Sequence, residues 1–396
     1  MGFYRSKKPS YGRYTVQRRG TVKKGPKKEY IHPSKFIKKA SFKEAEAYVP
    51  KHTFNDFAVN GLILKNLTAK GITTPSPIQD QSVPLGLEGK DIIGIANTGT
   101  GKTIAFALPV LNKLMDDPSS SALIVAPTRE LAQQIFDECR VVAKGSGMFG
   151  ALLIGGAAMG PQLADLRKMP SIVIGTPGRI KDHMERGSVD LSLFNIAVLD
   201  EVDRMLDMGF VNDMRTILRS MNPVRQSFFY SATMDSKVKA LINEFSNDPV
   251  MVSVKTGDTS DNVEQDVVMY GHVSEKIEKL HDVLNSMNNA KFLIFDETQR
   301  SVERLSKELE NRGFKADSIH GGKTQGQRTR ALSKFKSNHT SILVATDVAA
   351  RGIDISDITH VINYTTPQSY SDYVHRIGRA GRAGRAGTAL TFVEQN

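Results

Sequence analysis

A glycine-rich loop between an apolar run and a helical pattern is the first place where residue types suggest chemistry. Residues 91–96 read DIIGIA, and the sequence NTGTGKT follows directly before the apolar pattern IAFALPVL. In such a loop, glycines let backbone N–H groups approach phosphates, Lys102 reaches the β and γ phosphates, and Thr103 offers a hydroxyl to Mg²⁺. The pattern predicts an ATP phosphate site formed by Ala96, Asn97, Thr98, Gly99, Thr100, Gly101, Lys102 and Thr103, although Ala96 stands where the strict motif has Gly.

A group of carboxylates follows another apolar run. Residues 196–199 read IAVL and lead directly into Asp200, Glu201, Val202 and Asp203. Acids at the carboxyl end of a strand are placed for metal chemistry, so we expect Asp200 to hold Mg²⁺, partly through its water shell. Glu201 is expected to orient and deprotonate the attacking water. A polar strand end that caps the next helix is the alternative, and it suits Asp203 better than Asp200 or Glu201.

Short runs of Val, Ile and Leu that alternate with helical patterns must position these residues. The runs are residues 91–96, 122–127, 151–156, 171–177, 196–203 and 227–233, then 291–297, 316–321, 341–347, 360–365 and 388–394. Continuous apolar runs separated by helices are typical of parallel strands buried on both faces. We therefore expect an α/β fold of two tandem doubly wound parallel-sheet domains, with ligands in a cleft beyond the carboxyl ends of the strands.

Positive charge is concentrated at the beginning of the chain. The sequence of 396 residues has a net charge of +11, and residues 1–40 contain thirteen Lys or Arg against the one acid Glu29. That local +12 leaves the remainder near −1. Without apolar periodicity, residues 1–50 are predicted to form a mostly disordered basic arm. Tyr4, Tyr11 and Tyr14 among these cations favour stacking combined with phosphate attraction, and a solubilising tail is the alternative.

Composition excludes several other classes of protein. Cys139 is the one cysteine, so a disulfide framework or a cysteine-based zinc cluster within one chain is excluded. The first residues lack the apolar run of a secretion signal, and no stretch of the sequence is long enough for a membrane span. We expect a cytoplasmic, monomeric protein with no membrane association. Because the sequence stops just after the last predicted strand, no C-terminal partner-binding extension is expected either.

The order and spacing of these motifs over residues 54–394 resemble bacterial-type DEAD-box ATP-dependent RNA helicases of superfamily 2. The acidic motif is a DEVD variant, because Val202 stands where the family usually has Ala. Residues 71–79 (GITTPSPIQ) resemble the family's Q motif, and Phe54 lies seventeen residues before Gly71, where the family places an adenine-stacking aromatic. The resemblance implies two RecA-like domains, and that Gln79 reads the adenine edge while Phe54 packs the ring.

Other short motifs resemble RNA contacts of the family. In the first half these are Pro127, Thr128 and Arg129, then Gly155 and Gly156, then Thr176, Pro177, Gly178 and Arg179. In the second half they are Gln325, Arg328 and Thr346. The arginines would donate to phosphates, and the small residues would let backbone amides approach the sugar-phosphate chain. Each motif alone is weak, since Thr-Pro-Gly is also ordinary turn chemistry.

The remaining motifs resemble those that join RNA binding to ATP hydrolysis. Ser231 and Thr233 match the coupling motif, through hydroxyls that can bond the acidic segment, and Asp354 is placed to accept from the ribose hydroxyl. Residues 375–382 (HRIGRAGR) resemble the motif that supplies arginine fingers, so Arg379 and Arg382 are assigned to the γ-phosphate. A flexible Gly/Arg tract is the alternative interpretation of that repeat.

The sequence therefore predicts an ATP-dependent RNA helicase that uses ATP and Mg²⁺ and binds single-stranded RNA and short duplexes. The predicted organisation is an arm at residues 1–50, an ATP-binding domain at 51–253, a linker at 254–262 and a second domain at 263–396. An ATP-gated RNA clamp and a DNA-translocating helicase are the alternatives. A transporter-type ATPase is disfavoured, because no LSGGQ-like signature follows the phosphate loop.

Overall fold

The computed structural model describes residues 30–41, 48–97, 99–254, 262–287, 290–350, 355, 357–381 and 385–395. Two parallel sheets organise these residues, as the alternation of apolar runs and helices predicted. None of the helices in the described ranges is both long and apolar enough to cross a membrane.

The first domain contains a seven-stranded sheet with all pairs parallel. Its strands are β1 (Ile92–Ile95), β2 (Ala122–Val125), β3 (Gly150–Leu153), β4 (Ile172–Gly175), β5 (Ile196–Leu199), β6 (Gln226–Ser231) and β7 (Val250–Ser253), in the order β3-β4-β2-β5-β6-β1-β7. Because β1 and β5 lie on either side of β6, the carboxyl ends of strands carrying the phosphate loop and the acidic motif meet at one edge.

Nine α-helices connect these strands within the described part of the first domain. They are α1 (Gly61–Ala69), α2 (Pro77–Leu87), α3 (Lys102–Asp116), α4 (Arg129–Val142), α5 (Met159–Leu166), α6 (Pro177–Glu185), α7 (Val202–Asp207), α8 (Val211–Ser220) and α9 (Ser236–Phe245), with short 3-10 helices at Phe54–Asp56 and Leu191–Leu193. Side chains on the two faces of the sheet form two separate apolar cores under these helices.

The second domain contains a six-stranded parallel sheet in the order β10-β11-β9-β12-β13-β8. Its strands are β8 (Val263–Tyr270), β9 (Phe292–Phe295), β10 (Ala316–Ile319), β11 (Ile342–Ala345), β12 (His360–Asn363) and β13 (Gly387–Glu394). Its helices are α10 (Val273–Ser286), α11 (Gln299–Asn311), α12 (Gln325–Lys336), α13 (Asp347–Ala350) and α14 (Tyr370–Ile377).

Two strands of the structure were absent from the sequence prediction. Strand β7 is a sheet edge in which Met251 and Ser253 are exposed, and β8 alternates buried and exposed residues at its start. Edge strands mix polar and apolar residues because they are not covered like central strands, so the apolar run is only three residues long in β7 and follows a polar start in β8. Of the predicted linker, residues 255–261 lie outside the described residues.

The predicted disordered arm extends too far toward the first domain. Residues Pro33–Phe36 form a 3-10 helix, and Lys38 exchanges two backbone hydrogen bonds with Gln265 of edge strand β8. The Phe36 ring is 1% exposed and lies 4.8 Å from the Tyr373 ring in the core of the second domain. The prediction of disorder was based on the high positive charge of the segment. In the structure, burial of the Phe36 ring orders the residues around it.

Candidate active site and RNA-facing surface

The phosphate loop turns sharply from β1 into α3. Gly99 and Gly101 have φ values of 81° and 90°, in the left-handed region that favours glycine. Helix α3 begins at Lys102, whose buried ammonium donates to the carbonyl of Ala96 over 3.1 Å. The Ala96 N–H in turn donates to the Ser231 carbonyl, so the first position of the loop continues the sheet pairing. Thr98 lies outside the described residues.

The start of α2 supports this loop from the side. The Ser76 hydroxyl donates to the Thr100 carbonyl over 2.8 Å, and the Gln79 amide donates to the Gly101 carbonyl over 3.0 Å. The other end of the Gln79 amide accepts from the Ser76 N–H over 2.9 Å. Gln79 therefore faces the cavity beside the loop, as expected, but both ends of its amide bond the protein itself.

The structure places Phe54 in the apolar core, the alternative that this residue allows when taken alone. Its ring is 5% exposed, packs edge-on against Phe57 at 5.8 Å between ring centroids, and belongs to the apolar core under the sheet. Phe54 is not among the residues that line the nucleotide cavity. The spacing from the Q motif placed this residue near α2, but burial of an apolar ring decides where it points.

The acidic motif lies at the end of β5 and is buried. Burial raises the pKa of Asp200 to about 6, an effect that the Lys102 charge opposes and the Glu201 charge reinforces. Glu201 adopts φ 54° and ψ 53°, a strained conformation for a non-glycine residue. Its carboxylate pairs with Arg204, with 2.8 Å between Oε2 and Nη1, and both side chains are 6% exposed. The strain and the pair together fix the direction of the Glu201 carboxylate.

The coupling motif bonds the acidic motif directly. One Asp203 oxygen accepts from the backbone N–H groups of Ala232 and Thr233 and from the Thr233 hydroxyl, at 3.0 to 3.1 Å. The predicted hydroxyl contact therefore exists for Thr233. The Ser231 hydroxyl is buried and has no hydrogen-bond partner among the residues that the structure describes.

A cavity of about 690 Å³ brings most of the predicted nucleotide residues together. Residues from the first domain line it together with one arginine of the second: Gln79, Gly99, Thr100, Gly101, Lys102, Thr103, Asp200, Glu201 and Arg379. Arg379 thus lines the same cavity as the phosphate loop, across the cleft from it, and its role as an arginine finger stays a prediction. The other two predicted residues of the second domain, Arg382 and Asp354, lie outside the described residues.

The predicted RNA loops of the first domain share one side of the sheet edge. Thr128 is the N-cap of α4, where its hydroxyl accepts from the Leu131 N–H over 3.3 Å, so this hydroxyl serves the helix. Arg129 packs against Gly155 and Gly156, and a Cβ atom on Gly156 would lie 2.0 Å from Arg129 Nη1. Thr176 precedes α6, which begins at Pro177, while Gly178 is exposed and the Arg179 guanidinium donates to the Ala157 carbonyl over 3.4 Å.

The second domain departs from the predicted RNA contacts. Arg328 pairs with Glu130 of the first domain, with 2.7 Å between Nη2 and Oε2, and the side chains are 7% and 4% exposed. It is therefore buried between the domains in this structure, and its contact with RNA stays a prediction. Gln325 lies one turn earlier on α12 and lines a neighbouring interdomain cleft, and Thr346 is buried where α13 begins.

Several residues that support the site were not assigned roles from the sequence. Arg376 makes a bidentate pair with Asp347 at 2.6 and 2.7 Å and donates to the Thr365 carbonyl, which anchors the helix that leads to Arg379. In the first domain, Arg204 holds the Glu201 carboxylate and Ser76 holds the phosphate loop. Glu130 pairs with Arg328 of the second domain. The three-residue spacing from Glu201 to Arg204 on a helix was the available signal for that pair, whereas the Glu130 contact has no local signal.

Comparison with known proteins agrees with this geometry. Residues 76–242 match the DEAD/DEAH box helicase family, and residues 275–384 match the helicase conserved C-terminal domain. The DEAD-box ATP-dependent RNA helicase CshA of Bacillus subtilis is 42% identical over 345 residues, which cover 86% of this chain and 69% of that protein. The chain belongs to the DEAD-box helicase family.

Two further relatives of this DEAD-box protein extend the comparison. The ATP-dependent RNA helicase CshA of Listeria monocytogenes is 43% identical over 86% of this chain and 66% of its own length. The chain thus spans about two thirds of the length of these curated relatives. The structure of S. cerevisiae Dbp5 bound to RNA and ADP BeF3 superposes with a TM-score of 0.76 at 28% identity, covering 87% of this chain and 90% of that one.

Proposed function

We propose that this DEAD-box protein is an ATP-dependent RNA helicase that locally unwinds or remodels RNA duplexes and ribonucleoprotein. One observation carries the proposal: a single cavity is lined by Lys102, Asp200 and Glu201 from one domain and by Arg379 from the other. Phosphoryl transfer needs cationic donors on both sides of the transferring group, so ATP turnover at this site requires the two domains to meet.

Each side of the cavity has its own part in the reaction. Lys102 and the loop amides bind the β and γ phosphates, and Glu201 orients the attacking water and takes its proton. Arg379 stabilises the charge that develops on the γ-phosphate, and we assign Arg382 to the same task. The arginine arrives from the second domain, so hydrolysis is coupled to the position of that domain.

The oxygen donors at the sheet edge fit Mg²⁺. Asp200 and Thr103 line the same cavity, and the buried Ser231 hydroxyl without a hydrogen-bond partner lies at the end of neighbouring strand β6. Hard oxygen ligands of this kind suit Mg²⁺, and the Lys102 charge opposes the rise in the pKa of Asp200 that burial causes. When bound, the ion neutralises phosphate charge. Asp200 and Thr103 would hold it, partly through water.

RNA is the proposed partner, bound along both domains. The arginines at 129 and 179 and the turns around Gly155 and Thr176 lie beyond the same strand ends, which suits backbone recognition of a nucleic acid strand. Dbp5, which superposes on this chain, was solved bound to RNA. We also propose that the protein acts as a monomer, since one chain supplies both sides of the cavity, and that it is cytoplasmic.

An ATPase assay with single-stranded RNA, duplex RNA and DNA in parallel tests the proposal. We expect RNA to stimulate hydrolysis and DNA to leave it near the basal rate, and a short RNA duplex to separate only when ATP is present. Equal stimulation by DNA would favour a DNA-translocating helicase. RNA-stimulated hydrolysis without strand separation would favour an ATP-gated RNA clamp.

A further inference from the structure

Two loops on the proposed RNA face of the first domain are joined by buried polar side chains. Gln162 on α5 is 5% exposed, and its amide donates to the carbonyls of Ile154 over 3.1 Å and Ala158 over 3.3 Å. These two carbonyls lie on either side of the turn that contains Gly155 and Gly156. Gln162 therefore fixes both ends of that turn.

His183 connects the same glutamine to the second loop. This residue lies on α6, the helix that begins at Pro177, and it is fully buried. Its Nε2 lies 3.2 Å from Gln162 Oε1, and its Nδ1 lies 2.8 Å from the Ser188 hydroxyl. Because the Gln162 NH₂ group already donates to two carbonyls, Oε1 must be the acceptor, and His183 must carry its proton on Nε2.

The ring is suited to this fixed arrangement. Burial lowers the pKa of His183, an effect that the nearby Arg179 charge reinforces and the Asp182 charge opposes. A neutral imidazole with its proton on Nε2 donates to Gln162, and its Nδ1 lies 2.8 Å from the Ser188 hydroxyl, which also donates to the His183 carbonyl over 2.9 Å. Neither Gln162 nor His183 is exposed enough to contact RNA itself.

The turn that these residues hold also lies between two arginines. Arg129 fills the space that side chains at Gly155 and Gly156 would occupy, and Arg179 donates to the Ala157 carbonyl. A shift of the turn would therefore move the phosphate donors on both sides. Losing the buried bonds that hold it leaves unsatisfied polar groups, which the turn can relieve only by moving.

We propose that Gln162 and His183 are positioning residues of the RNA surface, which hold residues 154–158 in fixed register with the start of α6. The proposal rests on the proposed function, because it assumes that these two loops bind RNA. Preorganised donors bind an extended RNA backbone without an ordering cost. RNA affinity therefore depends on the buried hydrogen bonds that Gln162 and His183 make. The nucleotide cavity does not, because neither residue lines it.

The test compares Gln162→Glu with Leu166→Ala in the full chain. The glutamate keeps the shape but puts an acceptor against the two carbonyls. Leu166 is a core residue of the same helix, 7% exposed, without a role at the turn. The readouts are binding of a fluorescent single-stranded oligouridine, the RNA concentration for half-maximal ATPase, the maximal rate, the KM for ATP and the melting temperature.

We expect Gln162→Glu to weaken oligouridine binding and raise the half-maximal RNA concentration by about tenfold, while maximal rate and KM for ATP change by less than about twofold. His183→Leu and Gln162→Leu should each weaken RNA binding. The double variant should lose less binding free energy than the sum of the two, because both residues belong to one hydrogen-bond network. Leu166→Ala should lower the melting temperature without changing RNA affinity.

Unchanged RNA affinity in folded Gln162→Glu would overturn the proposal. So would an equal loss of RNA affinity in Leu166→Ala, if the two variants have the same melting temperature. Arg129→Ala and Arg179→Ala separate this failure from failure of the proposed function. If the arginine variants lose RNA binding and Gln162→Glu does not, the positioning role is wrong. If neither arginine variant affects RNA binding, the RNA face itself is wrongly placed.

Discussion

The two domains hold their candidate functional residues in different ways. In the first domain, the phosphate loop, the acidic motif and the RNA loops are held by hydrogen bonds within that domain, such as Gln79 to Gly101 and Thr233 to Asp203. In the second, Arg328 pairs with Glu130 of the first domain and Arg379 faces its cavity. The first half of the site is thus formed independently, whereas the second depends on how closely the domains approach.

The pair between Glu130 and Arg328 places two charges away from water where the domains meet. Burial raises the pKa of Glu130 and lowers the pKa of Arg328, and in each case the partner's charge opposes the shift. Among the described residues neither Glu130 carboxylate oxygen has a partner in hydrogen-bond geometry, and the charge of Arg328 affects Glu130 more than a hydrogen bond does, so the contact is mainly Coulombic. The desolvation of both groups offsets much of their attraction. We infer that the pair fixes the position of one domain relative to the other and contributes little net stability.

The largest expected effect tests the half of the site that the first domain holds by itself. Glu201→Gln removes the proposed general base but keeps the side-chain shape, so RNA-stimulated ATPase should fall by about 10² to 10⁴. Binding of RNA in the presence of ATP should persist. Steady-state ATPase and oligouridine binding measure the two effects, with Glu185→Gln, an exposed change on α6, as the control. Normal turnover in Glu201→Gln would remove this residue from its role.

A smaller effect is expected where the two domains meet. Arg328→Gln leaves the Glu130 carboxylate buried without its partner, so closure should weaken and the RNA concentration for half-maximal ATPase should rise by about tenfold. The affinity for ATP in the absence of RNA should change little, because the phosphate loop is held within the first domain. The double variant Glu130→Gln with Arg328→Gln removes both buried charges and should recover part of the loss.

The same cycle decides whether Arg328 acts on the first domain or on RNA. Recovery in the double variant indicates that the two residues act on each other. If Glu130→Gln alone is silent and the double variant is as weak as Arg328→Gln, then Arg328 contacts RNA directly in the active state. Equal RNA requirements in all four proteins would mean that the pair has no part in closure.

The smallest expected effect concerns the basic segment that precedes both domains. Residues 1–29 contain ten Lys or Arg and the acid Glu29. Deleting them should reduce nonspecific RNA affinity, and loss of four phosphate contacts would flatten the logarithmic salt slope by about 3 units, at about 0.7 per contact on single strands. Titration of oligouridine binding with salt measures this slope. Maximal ATPase at saturating RNA should be retained.

Phe36→Ala is the matched comparison for that deletion, because it removes packing and leaves charge unchanged. A buried Phe replaced by Ala costs about 3 to 5 kcal/mol in a core, so the second domain should melt at lower temperature. The deletion of residues 1–29 should leave that melting temperature unchanged. An unaltered salt slope after the deletion would make the segment a solubilising tail or a site for some other partner.

Local patterns predicted most of the nucleotide half of the site. The phosphate loop, the acidic motif and the alternation of apolar runs with helices each depend on residues close together in the chain, and a parallel sheet brings strand ends to one edge. For this reason Lys102, Thr103, Asp200 and Glu201 were assigned from the sequence and line one cavity. Strands β7 and β8 escaped prediction because their apolar runs are short and interrupted by polar residues, as is usual in edge strands.

The sequence by itself determined the two-domain α/β fold and the chemistry of its strand ends, because strand burial and glycine turns are governed by neighbours along the chain. Only the tertiary structure decided that Phe36 packs in the second domain, that Phe54 is a core residue, and that Arg328 pairs with Glu130. It also decided that His183 and Gln162 are bonded to each other. These contacts join residues far apart in the chain, and their partners are chosen by burial and hydrogen-bond geometry, which no local pattern contains.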